Sequence, residues 1–137
     1  MTQDAPDLRP TRLREMDQAV LRAYAELSGD LNPIHLAREQ AIQAGYPDTI
    51  CHGMLAMTDI GGWLTRVMPG WQLDGIACRF VAPMPVGTRL TVSAFCGESR
   101  RERDIVRLGV EIEARDAEGI TRVTGRADFH RSNTSER

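Results

Sequence analysis

Residues 52–70 read HGMLAMTDIGGWLTRVMPG, and the architecture turns on how the apolar residues of this stretch are spaced. Met57, Ile60, Leu64 and Val67 recur at helical intervals, while Met54, Trp63 and Met68 lie off that stripe. A helix apolar on most of its sides is a buried helix, not one laid on a surface. The Gly61-Gly62 pair costs on the order of 1 kcal/mol per glycine relative to alanine, which is tolerable where another backbone or a ligand must come close. Pro69 and Gly70 end the helix.

Downstream the period falls from 3.6 to 2. Residues 75–83, 89–98, 104–115 and 120–130 all read as strands. In the third, Val106, Leu108, Val110, Ile112 and Ala114 face one way and Arg107, Glu111, Glu113 and Arg115 the other. The connections MPVG, ESRRER and DAEG are turn-like, so a four-stranded antiparallel meander with one dry face is expected. Upstream, Asp17 caps a helix with Val20, Tyr24 and Leu27 on one face, ended by Gly29. A shorter helix fits 36–44, closed by Gly45-Tyr46-Pro47. Helices come first and strands second, and the dry sheet face needs a cover. The fold class is therefore α+β, a sheet wrapped around the helix at 52–68.

The 137 residues form one domain spanning 1–137, with an ordered part of roughly 8–131 and frayed ends. A net charge of −2 supplies no field to draw in nucleic acid or an anionic membrane. All 17 basic residues are arginine, so any anion site would be a guanidinium site. Cys51, Cys78 and Cys96 form no metal-ligand spacing, Cys51 reads as inert, and Cys78 and Cys96 alternate within strands as core residues. The start MTQDAPDLRP has no signal-peptide core, and no apolar run is long enough for a membrane span. A reduced, cytoplasmic protein is expected.

The chemistry centres on LSGDLNPIH, residues 27–35. A helix stop followed by an Asx turn accounts for its glycine, asparagine and proline, with His35 capping or exposed. The same loop admits a second reading. Asp30 and His35 are two groups able to move protons, held in fixed relation by Pro33 and by the extended bias that proline places on Asn32. Asp30, His35 and His52 have no recognised ligand spacing, and no metal is expected. At the start of the buried helix, Gly53 offers a backbone N–H with no partner inside the helix, at the positive end of its dipole. Such an N–H suits an oxyanion forming on a thioester carbonyl.

Taken together, Tyr24, LSGDLNPIH, the HGM at 52–54 and CRFVAPMPVGTRLTV at 78–92 resemble the MaoC-like, (R)-specific enoyl-CoA hydratases and dehydratases over residues 15–130. The resemblance implies a hot-dog fold, a curved antiparallel sheet around a long central helix, pairing as a homodimer or a heterodimer. It also implies a hydro-lyase that adds water to a trans-2-enoyl thioester to give the (R)-3-hydroxyacyl thioester, or runs the reverse. Asp30 and His35 become the acid/base pair, Gly53 N–H the carbonyl donor, and Asn32 and Ser28 supports of the loop. Met54 and Met57 are candidates to touch the acyl chain. No cofactor is implied beyond coenzyme A or acyl carrier protein as carrier, and Arg66, Arg79 or Arg89 is expected near the carrier's phosphates. Some family members have a serine where this chain has Gly61. Two other functions remain open: a thioesterase of the same fold using Asp59, and a non-catalytic subunit that binds acyl thioesters.

Overall fold

In the computed structural model, which describes residues 6–133, β1 (Thr11–Met16) precedes α1 (Gln18–Ser28), a single 3-10 turn (Pro33–His35), α2 (Arg38–Gln43) and α3 (Gly53–Val67). Then come β2 (Gln72–Phe80), β3 (Thr88–Glu102), β4 (Ile105–Arg115) and β5 (Thr121–Ser132). The expected central helix is α3. It buries Leu55, Ala56, Ile60, Trp63 and Leu64 against the sheet, and each large side chain among them contributes about 1.5–3 kcal/mol. β4 alternates as read, with Val106, Leu108, Val110, Ile112 and Ala114 all buried. One core of residues from α1, α3 and all strands but β2 results, and Leu73, Ile76 and Cys78 of β2 pack partly buried against it.

The strand order corrects the simple meander. The five antiparallel strands run β1-β3-β4-β5-β2, so β2 pairs with β5 and not with β3. Pro83 and Pro85 in the segment 81–87 each lack a donor and hold it extended, which disfavours a tight β2–β3 hairpin. Seven residues at about 3.3 Å each carry the chain across the two intervening strands. On the way the segment is stitched to the stretch before α3, with Cys51 N–H donating to Met84 O (2.7 Å) and Val86 N–H to Thr49 O (2.8 Å).

Further differences concern the rims. β1 was not read from the sequence. Its two buried residues, Leu13 and Met16, are three apart because the pairing with β3 shifts register between Arg12 and Glu15, so no alternation shows. The charged ESRRER stretch is not a loop. β3 continues through Arg101↔Val106 and Glu102↔Ile105, and only Arg103 and Asp104 turn. This outer half of β3 runs past the core, which leaves Cys96 exposed rather than buried and Phe95 63% exposed. On α1 the buried face is Leu21 and Ala25; Val20 and Tyr24 pack at its margin, and Leu27, expected on the packed face, is 88% exposed. The expected caps are present: Asp17 accepts from Val20 N–H, and Gly29 ends α1 at φ +81°. Of the segments expected to fray, Ser132 is the last residue of β5, while 1–5 and 134–137 lie outside the described residues.

Candidate active site

Gly29 adopts the left-handed conformation that lets the chain leave α1 sharply, and the loop after it is held by its own side chains. Ser28 Oγ accepts from Asp30 N–H (3.1 Å), Asp30 Oδ1 from Asn32 N–H (3.3 Å), and Asn32 Oδ1 from Ile34 N–H (3.2 Å). The loop is an Asx-type turn, as expected, and it carries His35 inward. His35 is 7% exposed, not a surface cap.

The imidazole of His35 is fixed from behind. Its Nδ1 lies 2.8 Å from Ile50 O, and a carbonyl can only accept, so Nδ1 carries the hydrogen. In neutral His35 the basic nitrogen is then Nε2, which faces Asp30 Oδ2 at 3.8 Å. Its backbone is tied as well, through Gln18 Nε2 donating to His35 O (2.9 Å) and Thr49 Oγ donating to Gln18 Oε1 (2.7 Å). Asp30, with about half of its side chain exposed, looks outward.

α3 meets this loop through His52, its N-cap residue. The His52 ring stacks on His35 with centroids 3.8 Å apart, and its Nε2 donates to Asp30 O at 3.2 Å. Gly53, one peptide further, therefore stands beside the Asp30–His35 pair. Leu55 and Ala56 N–H reach back to His52 O, and the Gly53 N–H, at the first position of the helix, has no carbonyl to reach. The ring of Phe80, at the end of β2, covers Gly53 so closely that a Cβ there would lie 2.8 Å from it. Leu31 beside Asp30, Met54 beside Gly53, and Phe80 and Val81 at the end of β2 are exposed apolar side chains.

This set of groups, an imidazole with one bare nitrogen, a carboxylate and a free helix-start N–H, is suited to proton transfer beside a polarised carbonyl. It is poorly suited to a metal. Asp30, His35 and His52 offer ligand atoms within 4.8 Å of one another. However, an imidazole donates its lone pair in the ring plane, and two rings stacked at 23° have no common in-plane point within bonding reach.

The match to known families follows the same residues. Residues 2–116 match the family model for the MaoC like domain. The chain belongs to this MaoC-like family. It is 32% identical over 111 residues to an (R)-specific enoyl-CoA hydratase of Aeromonas caviae, covering 80% of this chain and 81% of the relative. To a mitochondrial 3-hydroxyacyl-[acyl-carrier-protein] dehydratase of Arabidopsis thaliana it is 31% identical over 83 residues, 61% of this chain. The chain spans about half the length of that relative, 49%. A solved structure of an (R)-hydratase from A. caviae involved in PHA biosynthesis superimposes with a TM-score of 0.79 at 28% identity, covering 93% of this chain and 97% of the other. The fold is the hot-dog fold.

Within this MaoC-like domain the remaining candidates separate. Met54 is 54% exposed and Met57 half-buried, both on the first turns of α3. A Cβ on Gly61 would meet nothing within 4 Å, so the helix itself does not demand glycine there. Asp59 is engaged by Arg14, whose guanidinium reaches both oxygens at 2.9 and 3.2 Å. Cys51 is buried, and loss of solvent pushes its thiol up to about 12. His130 is half-buried, with Nδ1 2.8 Å from both Asp74 oxygens. Arg89 is spent in part on Leu13 O (2.7 Å), and Arg79 is exposed. Arg66 lies about 20 Å along α3 from Gly53, at the rise of 1.5 Å per residue. There it lines a cavity with Arg9, Trp71 and Arg131 that includes none of Asp30, His35 and Gly53.

The sequence missed how much depends on His52. No local signal marked it, because its contact with Asp30 joins residues 22 apart.

Proposed function

We propose that the protein is a hydro-lyase acting on acyl thioesters, adding water to a trans-2-enoyl thioester to give the (R)-3-hydroxyacyl thioester or removing it again. The observation that carries this reading is the 3.8 Å gap between His35 Nε2 and Asp30 Oδ2. It is too long for a hydrogen bond and suits one water bonded to both. With His35 neutral and Asp30 ionised, Nε2 takes a proton from that water while Asp30 orients it. The water oxygen bonds to Cβ, and the C=C pair moves towards the carbonyl oxygen, where Gly53 N–H and the α3 dipole hold the charge. The imidazolium then returns a proton to Cα on the same face. No proton is gained or lost overall.

The carrier is coenzyme A or acyl carrier protein, and neither a metal nor a redox cofactor enters the scheme. Met54 and Met57 line the entry of the acyl chain. The apolar side chains of Leu31, Met54, Phe80 and Val81 are covered by a second hot-dog domain, in a homodimer or with a related partner. The thioesterase reading is disfavoured because Arg14 occupies both Asp59 oxygens.

Ultraviolet absorbance of the enoyl thioester tests the proposal, with crotonyl-CoA and a longer-chain enoyl-CoA as substrates. Loss of the conjugated band with the parent, and none with Asp30→Asn, supports it. Release of free thiol instead points to thioester hydrolysis. Light scattering on the active preparation reads the assembly.

A further inference from the structure

His52 enters none of these proton transfers, yet the parts of the site meet on it. It is 1% exposed. One ring face stacks on His35 at 23°, Tyr24 of α1 meets it edge-on at 4.8 Å, and its Nε2 donates to the Asp30 carbonyl. Because that carbonyl only accepts, neutral His52 has its bare nitrogen at Nδ1, which is buried and has no hydrogen-bond partner among the described residues. An orphaned buried polar atom costs stability. A phenyl ring would fill the same space without that cost, so packing alone does not explain a histidine here.

We propose that His52 is a positioning residue for the Asp30–His35 pair. Its Nε2–H fixes the Asp30 backbone and its face fixes the His35 ring, which keeps Oδ2 and Nε2 at the separation one water can bridge. The proposal rests on the reading of Asp30 and His35 as the acid/base pair. The titratable groups facing His52 are Tyr24 from α1 and Asp30 and His35 from the loop. Burial lowers the pKa of His52; the bond to the Asp30 carbonyl acts against this, and the neighbouring His35 charge adds to it. A neutral His52 does not oppose the positive charge that His35 gains when it takes a proton.

Two variants separate positioning from packing. His52→Phe keeps the ring and loses the donor; His52→Gln keeps a donor and loses the ring. With crotonyl-CoA, His52→Phe is expected to lower kcat about 10- to 100-fold through misplacement of the pair. KM should change by less than about threefold, the loss in His52→Gln should be smaller, and the melting temperature should stay near the parent's. An unchanged kcat in His52→Phe, or a loss that merely follows the unfolded fraction, overturns the proposal. Amide hydrogen exchange reads positioning without turnover. The Ile34 and His35 N–H groups, bonded to Asn32, should exchange about tenfold faster in His52→Phe. Unchanged exchange overturns the proposal, even where an inactive parent has already set aside the reading of the pair.

Discussion

The ring of Phe80 occupies the space a side chain at Gly53 would need: a Cβ built there lies 2.8 Å from Cε2 and 3.0 Å from Cδ2 and Cζ. Gly53→Ala must therefore displace that ring or the start of α3. Phe80 is 41% exposed in the single chain, and its ring gives way more easily than the α3 backbone, so the stability cost should stay near 1 kcal/mol. The Gly53 N–H is the proposed carbonyl donor, and a shift of the α3 start moves it, so kcat should fall about tenfold or more. In Gly53→Ala/Phe80→Ala the two stability losses should sum to more than the double variant shows. Thermal melts and enoyl absorbance on the four proteins check both statements.

His35 donates through Nδ1 to Ile50 O and, in the proposed mechanism, takes a proton at Nε2; substitution can divide the two. Asparagine places an amide N–H near where Nδ1 donates to Ile50 O, with nothing at Nε2. His35→Asn should lose about 10²–10⁴ in kcat while melting close to the parent. His35→Ala should lose the same activity and also about 1–3 kcal/mol, because the Ile50 carbonyl is left without its partner. Circular-dichroism melts beside the absorbance assay distinguish the two.

How far the sequence disclosed this site depends on how local each contact is. Ser28, Asp30, Asn32 and His35 lie within eight residues, and the side-chain bonds of Ser28, Asp30 and Asn32 are made between near neighbours, so the motif could be read as a unit. The His52–Asp30 contact joins residues 22 apart, and it depends on α3 being drawn back under the loop by Cys51–Met84 and Val86–Thr49. No periodicity encodes that. The same division runs through the fold. α3 and β4 carry strong periods and were legible. β1 was hidden by its bulge, and the β2–β5 pairing by a proline-rich segment that resembles a hairpin connection in length but crosses two strands.

Burial of His52 makes stability depend on pH in a known direction. A histidine whose folded pKa lies below its unfolded value of about 6.5 binds fewer protons folded than unfolded, so its contribution is present above that value and is lost as pH falls below it. The melting temperature should therefore fall between pH 7.5 and 5.5, and His52→Gln should flatten that fall. The carboxylates held low by hydrogen bonds, Asp7, Glu113 and Asp116, lose their contribution only as pH drops below about 4.5, outside this window. A parent melting curve flat across pH 7.5–5.5 would contradict the argument.

The cysteines provide a reactivity test of the fold. Cys51 is sealed between Met16 O and Pro85 O, and with its thiol pushed up to about 12 only about one molecule in ten thousand is thiolate at pH 8. Cys96 sits on the outer half of β3 and is exposed, and the partial burial of its thiol raises its pKa. A thiol reagent should label Cys96 first, Cys78 more slowly and Cys51 only after unfolding, as peptide mapping by mass spectrometry would read.

Asp59 decides between the two enzymatic readings of this fold. Its carboxylate sits on α3 and both of its oxygens face the Arg14 guanidinium, a pair whose arginine is about half exposed. An ion pair so placed contributes about 0–1 kcal/mol, and Asp59→Asn should cost no more than that. If Asp30 and His35 move the protons, Asp59→Asn should leave the rate of enoyl absorbance loss within about twofold of the parent, because the substitution touches neither the bridged water nor the Gly53 N–H. If Asp59 were instead the carboxylate of a thioester hydrolase, the same substitution should abolish thiol release while Asp30→Asn spared it. Running both variants in both assays on one preparation gives opposite patterns for the two readings.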